Sequence, residues 1–228
     1  IDEGELWTIG NISFSGNTIF SSDDILSLIT VSEGERYNSE RISGIYESIA
    51  SLYYDNGYVY SVVYPDIKKE EGNKVSINFL ITEGVQTKVE EIRINGLTKT
   101  KPYVLERELA FKVGDIFSRS AFIQSQQNMY NTSLLKNISA SLYPGKTEDG
   151  VICEFNVEEG NQMELQFGAT FGATELNGFP VSGFLSLTNN NLGGTGRALS
   201  LSTEISPSTQ SLSLSISDNW VGNKRWGN

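Results

Sequence analysis

The stretch Ile9-Gly-Asn-Ile-Ser-Phe-Ser-Gly16 returns at Val89-Glu-Glu-Ile-Arg-Ile-Asn-Gly96, as (I/V)xxIx(F/I)xG at an offset of 80 residues. The same offset pairs Ile25 with Leu105, Ile29 with Leu109, Gly34 with Gly114, Tyr37 with Phe117 and Ile42 with Phe122. Both units also close alike, with Ile81-Thr-Glu-Gly84 and Val157-Glu-Glu-Gly160. Self-similarity at such a period marks tandem copies of one supersecondary unit. The expected domains are therefore residues 1–85 and 86–160, with 161–228 outside the repeat.

Each unit reads β-α-α-β-β. In the first, Ile12 and Phe14 belong to an opening strand. A short helix starts near Ser22, capped by Ser21 or Ser22, with Asp23 and Asp24 at the positive end of its dipole. A longer helix starts near Asn38 and carries Ile42, Ile45, Tyr46, Ile49, Leu52 and Tyr53 on one stripe. Gly57 supplies a left-handed stop. Val59, Tyr60, Ser61, Val62, Val63 and Tyr64 form a β-branched and aromatic strand, and Val75, Ile77, Phe79 and Ile81 alternate inward in the next. The second unit follows with less regularity, because Ser125 and Gln126 replace Ile45 and Tyr46 on the stripe. Its matching strand is Ile138, Ser139, Ala140, Ser141, Leu142 and Tyr143. A three-stranded mixed sheet with helices on one face leaves a strand edge open, which can accept an extended peptide or be blunted by charge, as Lys68, Lys69, Glu70 and Glu71 would do.

From Met163 the period becomes two. Met163, Leu165, Phe167, Ala169 and Phe171 alternate with Glu164, Gln166, Gly168, Thr170 and Gly172. Three further stretches, near 181–188, 199–205 and 211–217, alternate in the same way, broken only by Phe184. Strands of ~9–11 residues with one apolar and one Ser/Thr/Gly face suit a transmembrane barrel. They equally suit a soluble β-sandwich, since both have one dry face and one wet one. Four strands cannot close a barrel, which takes at least ~8, so the membrane reading implies a barrel fragment.

Composition narrows the function. Lys and Arg number 17 against 28 Asp and Glu, a net charge of −11, which argues against nucleic acid as a partner. Four of those acids and three of those bases lie from Asn161 onward, so residues 1–160 carry −10 of the −11. Histidine is absent, which removes the commonest general base and metal ligand. The single cysteine, Cys153, shares a strand face with Val151, Phe155 and Val157 and reads as a small buried hydrophobe. No catalytic residue, cofactor or metal site is expected, and the chain does not read as an enzyme. The stretch Thr188-Asn-Asn-Asn-Leu-Gly-Gly-Thr-Gly-Arg197 lacks the lysine of a phosphate loop and precedes a strand, so Asn191, Leu192, Gly193, Gly194, Thr195 and Gly196 are expected to make a tight hairpin turn, with positive φ spread over Asn189–Asn191 and Gly193–Gly196.

These residues resemble the outer-membrane insertase family of BamA and its relatives. The βααββ units look like POTRA domains. Leu52-Tyr-Tyr-Asp-Asn-Gly-Tyr58 is similar to the family's junction between second helix and second strand, and Asn191-Leu-Gly-Gly-Thr-Gly196 to its turn after the second barrel strand. Leu134-Leu-Lys-Asn-Ile138 departs from the pattern, which usually has a glycine and a phenylalanine there. The resemblance implies an α+β fold: two tandem POTRA (βααββ) domains followed by antiparallel strands of a truncated transmembrane β-barrel. It implies an outer-membrane location of Gram-negative type, with the POTRA domains in the periplasm. It also implies a lateral gate along Met163–Gly172, where unfolded outer-membrane proteins add a strand. Val59–Tyr64 and Ile138–Tyr143 would hand over substrate or hold accessory periplasmic lipoproteins, and outer-membrane lipid would surround the barrel strands. A secretion transporter for one dedicated partner, or a soluble periplasmic scaffold, are the alternative readings.

Overall fold

A computed structural model describes residues 6–171, 181–206, 210–221 and 224–225. Contacts divide the chain into two compact units: Ile1–Glu91 with Phe111–Phe122 and Tyr143–Ile152, and Ile92–Ala110 with Ile123–Leu142 and Cys153–Asn228.

The first repeat runs β1 (Thr8–Ser15), α1 (Ser22–Leu26), α2 (Ser39–Asp55), β2 (Val62–Glu70) and β3 (Lys74–Thr82). Ser21 caps α1 in a reciprocal capping box with Asp24, and the Asn38 side chain accepts from the amides of Glu40 and Arg41 to start α2. The strand order is β1-β3-β2, with β1 parallel and β2 antiparallel to β3. A parallel pair needs a crossover, and the two helices supply it. Val75, Ile77, Phe79 and Ile81 on the central strand cluster with Ile42, Ile45, Ile49 and Tyr53 of α2. Each such burial contributes ~1.5–3 kcal/mol.

The second strand starts later than its composition suggests. Val59 and Tyr60 lie in a turn and Ser61 precedes β2, so these three are not strand residues. Gly57 (φ 89) ends α2, and the Ser61 amide donates to the Tyr58 carbonyl at 3.1 Å. Reversing the chain there outweighs the β-propensity of Val59 and Tyr60. The strand instead extends through Lys68, Lys69 and Glu70, which pair with Ser76, Val75 and Lys74.

The second repeat runs β4 (Lys88–Asn95), α3 (Pro102–Glu106), α4 (Arg119–Tyr130), β5 (Leu135–Pro144) and β6 (Gly150–Glu159), in sheet order β4-β6-β5. Helix α4 has 12 residues where α2 has 17. The repeat offset accordingly falls from 80 at Ile42/Phe122 to 76 at Glu83/Glu159, a loss of about one helical turn. Ser133 then stands where Gly57 stood and takes the left-handed conformation (φ 61) without being glycine. Cys153 is fully buried, and burial pushes its thiol up to about 12.

The remaining strands, β7 (Met163–Phe171), β8 (Val181–Asn189), β9 (Ala198–Ile205) and β10 (Gln210–Ser217), form one antiparallel sheet in chain order. A short pair, β11 (Trp220–Val221) and β12 (Lys224–Arg225), follows. Gly172, part of the sequence reading, lies outside the described residues.

Candidate functional site

Strand β7 stands at one end of the four-stranded sheet and pairs with β8 from Met163↔Asn189 to Phe171↔Val181. Just before it, the Asn190 amide donates to the Gln162 carbonyl at 2.8 Å, in the same register. Residues 162 and 190 are thus a hydrogen-bonded pair, and every second residue along β7 repeats that role. Glu164, Gln166, Gly168 and Thr170 turn their backbone toward β8. Met163, Leu165, Phe167, Ala169 and Phe171 turn theirs to the other side, where no strand pairs with them among the described residues. Five C=O and five N–H groups therefore line that edge; the Met163 N–H donates to Asn161 Oδ1 at 3.3 Å, and the other four N–H groups have no strand partner among the described residues.

Those same five side chains lie on the apolar face. Register places Leu165, Leu187, Leu201 and Leu214 in one row across the sheet, and Phe167, Leu185, Thr203 and Leu212 in the next. A sandwich core would bury them. Instead Phe167 is 77% exposed, Phe171 72% and Leu212 76%. The opposite face carries rows of Gln166, Ser186, Ser202 and Ser213, and of Glu164, Thr188, Ser200 and Ser215. Phe184, which breaks the alternation, sits on this polar face opposite Gly168. A Cβ on Gly168 would lie 2.5 Å from the Phe184 ring, so the glycine makes room for the aromatic side chain.

The glycine turn differs from the expected tight hairpin. Asn189 pairs with Leu199, and between β8 and β9 the chain forms a compact loop with a 3₁₀ turn at Leu192–Gly194. Gly193, Gly194 and Gly196 take positive φ; the asparagines do not, since Asn191 has φ −146. The loop is long because it is docked. The Lys101 amide donates to the Gly194 carbonyl at 2.9 Å, and the Asn191 amide side chain donates to Thr100 Oγ1 at 2.9 Å. Asn191 Oδ1 accepts from the Gly196 amide at 2.7 Å, holding the loop closed. A Cβ on Gly194 would lie 2.2 Å from the Lys99 carbonyl oxygen. Nearby, Trp220 Nε1 donates to Glu108 Oε1 at 2.7 Å and the Arg107 guanidinium lies over its ring at 5.2 Å, so Trp220 faces the second repeat. Arg197 pairs with Asp218 at 2.8 Å.

The repeats' own edges are unequal. The outer sides of β1 and β4 are covered by backbone bonds: Gly34 amide to Ile9 carbonyl, and Gly114 amide to Val89 carbonyl, both at 2.8 Å. Val62, Val63 and Tyr64 begin β2, the edge strand of the first sheet; Ile138, Ser139, Ala140, Ser141, Leu142 and Tyr143 lie in β5, the edge strand of the second.

The closing motif of each repeat is a carboxylate clasp. Glu83 accepts from the Thr18 amide (2.7 Å), the Ile19 amide (2.9 Å), the Thr18 hydroxyl and the Tyr53 hydroxyl (2.9 Å). Glu159 accepts from the Lys99 amide (2.9 Å), the Thr100 amide (2.6 Å) and the Thr98 hydroxyl. Burial alone would raise the Glu159 carboxyl; bonds from Thr100, Thr98 and Lys99 outweigh it and bring it from 4.5 to about 2. A lowered carboxyl contributes stability in full above pH 4.5, and that contribution is lost as pH falls through about 2. Glu159→Gln should therefore cost ~1–2 kcal/mol at neutral pH and shrink the acid-induced loss between those limits, as read by urea unfolding at stepped pH. Equal pH profiles for the two proteins would contradict the clasp.

Residues 7–84 and 87–160 each match the POTRA family, described as surface antigen variable number repeat. A Treponema pallidum (strain Nichols) protein named "Putative outer membrane protein assembly factor" is 31% identical over 220 residues, 96% of this chain and 26% of that protein. "Outer membrane protein assembly factor BamA" of Nitratidesulfovibrio vulgaris is 23% identical over 235 residues, 100% of this chain and 29% of that protein. The crystal structure of BamA from Haemophilus ducreyi lacking POTRA domains 1-3 superposes with a TM-score of 0.84 at 23% identity, over 95% of this chain and 41% of that one. The chain thus spans less than a third of the length of either relative. With two matched repeats leading into a four-stranded antiparallel sheet, it belongs to the POTRA family and has the fold of the BamA-type POTRA and barrel region.

Proposed function

We propose that this chain works in an outer-membrane protein assembly factor, as POTRA domains 1–85 and 86–160 and initial barrel strands 161–228. The POTRA domains stand in the periplasm and the strands in the outer membrane. Unfolded barrel proteins add a strand to β7, which serves as a lateral gate, and accessory periplasmic lipoproteins dock on the POTRA domains. No catalytic chemistry is assigned.

The open edge of β7 carries this reading, because it is both unpaired and apolar. Nine strand residues at ~3.3 Å each, tilted ~40°, span roughly the 25 Å apolar band of an outer-membrane barrel. In hydrocarbon every unpaired backbone group costs several kcal/mol, so this edge demands a partner strand. A strand whose own residues alternate apolar and polar satisfies it, with its apolar side chains on the same face as Phe167. The docked 190–196 loop sits at the end of the sheet where β7 starts and β10 finishes, which supports reading that end as the periplasmic one.

The single native thiol of this chain, Cys153, is buried and does not compete with a cysteine introduced in β7. In the intact membrane protein, Phe167→Cys should form a disulfide with cysteines placed along the terminal strand of a stalled barrel substrate. Cysteines in β9, at Leu201 or Ser202, should not. Cross-links spread evenly over both strands would contradict a gate at β7.

A further inference from the structure

Phe184 breaks the alternation of β8 and puts a half-exposed aromatic ring on the polar face, between Ser182 and Ser186. Register sets it opposite Gly168 of β7 and Glu204 of β9. The place a Cβ of Gly168 would take lies 2.5 Å from Phe184 Cε1, 3.0 Å from Cζ and 3.3 Å from Cδ1. One edge of the ring therefore lies over the bare backbone of the glycine. An aromatic side chain covering a glycine of an edge strand keeps water from that pair and pins the register.

The start of β7 is anchored by other means. The Gln162 carbonyl accepts from the Asn190 amide at 2.8 Å, and the Gln162 side chain donates to Thr100 Oγ1 at 3.4 Å. For the far half, side chains decide. Residues 172–180 join β7 to β8, a connection too long to set the pairing as a two-residue turn does. Between the pairs Phe167–Leu185 and Phe171–Val181, the apolar face offers only Ala169 opposite Gly183. On the polar face the same interval holds Gly168–Phe184 and Thr170–Ser182, so the Phe184 ring is the one large side chain bridging the strands there. A slip of two residues would keep both faces unchanged, but would set the ring against Gln166 or Thr170. Neither leaves the backbone bare, and Gln166 is already bonded to Glu164 at 2.6 Å.

We propose that Phe184 is a positioning residue of the β7 edge: its ring clamps Gly168 to β8 and holds the outward N–H and C=O groups of Phe167, Ala169 and Phe171 in line for an incoming strand. Inward and outward groups belong to one pleated backbone, so the outward row stays straight only while the inward row is bound. The β7–β8 pair then remains closed while the other edge of β7 is in use. The inference rests on reading β7 as the gate, and adds what keeps that strand in place during pairing.

Phe184→Ser restores the alternation with Ser182 and Ser186, so a merely irregular phenylalanine would be replaced without loss. Instead, in the intact protein, amide exchange at Gly168 and Thr170 should rise about fivefold, the upper range for a cross-strand aromatic contact. Exchange at Glu164, near the anchored start, should stay as in the parent. Assembly of urea-unfolded barrel substrates in reconstituted vesicles should slow by a similar factor. Phe184→Tyr keeps the ring and should show neither change. Phe171 and Val181 form a non-hydrogen-bonded pair, the close kind that a disulfide can bridge. In a Phe171→Cys/Val181→Cys background, Phe184→Ser should slow assembly with reductant present and make no difference once the disulfide is closed. Should Phe184→Ser fold poorly, Phe184→Thr takes its place, with its higher strand propensity. Unchanged exchange at Gly168 and Thr170, or a loss that the disulfide does not remove, overturns the inference. Leu165→Pro, run alongside, measures the gate itself. A loss there with none in Phe184→Ser overturns the inference and leaves the gate; no loss in either removes both.

Discussion

Gly96→Ala and Gly16→Ala are each expected to cost ~3–5 kcal/mol, enough to unfold the repeat that carries them. The two glycines hold equivalent places at the end of the opening strand, with φ of +96° and +87°. A Cβ there would lie 2.0 Å from the Val157 carbonyl oxygen in one repeat and 2.1 Å from the Ile81 carbonyl oxygen in the other. Both obstacles are backbone in the central strand, which cannot move without breaking the sheet. Gly34 and Gly114 separate the two contributions. Their φ values are similarly positive, +86° and +92°, but a Cβ on either meets nothing within 4 Å. Alanine at those sites should cost only the left-handed strain, ~1–2 kcal/mol. Urea unfolding of the four variants measures the difference, and a Gly96→Ala as mild as Gly114→Ala would contradict the close approach.

That contrast also shows how much of the molecule can be read in the chain. The repeat is legible because glycine, apolar spacing and capping residues each serve a local need: Gly16 and Gly96 the strand crossing, Ser21 and Asn38 the helix starts, Val75 to Ile81 the core face. The four barrel strands are legible for the same reason, since a period of two is written directly in residues 163–217. What the sequence hid depends on distant partners. Ser125 reads as a defect in the α4 stripe, yet it is fully buried and its hydroxyl accepts from the Ala110 amide at 2.8 Å. The glycine loop reads as a hairpin because nothing nearby announces Thr100 and Lys101, some ninety residues earlier, as its docking partners. The shift of β2 from Val59 to Val62 has the same origin, a turn after Gly57 that propensity does not see. The candidate edge at β7 was visible as a strand, but which of its residues face outward follows only from the Asn190–Gln162 bond.

On the proposed assembly function, Phe167→Pro and Leu165→Pro in the intact protein are expected to cut assembly of barrel substrates roughly a hundredfold while leaving the protein itself folded. Both residues turn their N–H away from β8, so proline removes no bond of the existing sheet. It deletes a donor from the open edge and places a ring in the path of the incoming strand. The partner carbonyl left without a donor in hydrocarbon costs about 3 kcal/mol, which is about two decades in the occupancy of the paired state. Gln166→Pro makes the opposite case, since that N–H belongs to the pair with Ser186; it should loosen the sheet and lower folding yield before any effect on substrate is read. Phe167→Ala keeps the backbone and should assemble substrates nearly as well as the parent, because the edge binds through N–H and C=O groups and asks little of the side chain. Assembly rates from urea-unfolded substrate in reconstituted vesicles, with heat-modifiable gel migration as the folding control, separate these outcomes. Undiminished assembly by folded Leu165→Pro and Phe167→Pro, or a loss by Phe167→Ala as deep as theirs, would remove the strand-pairing edge from the mechanism.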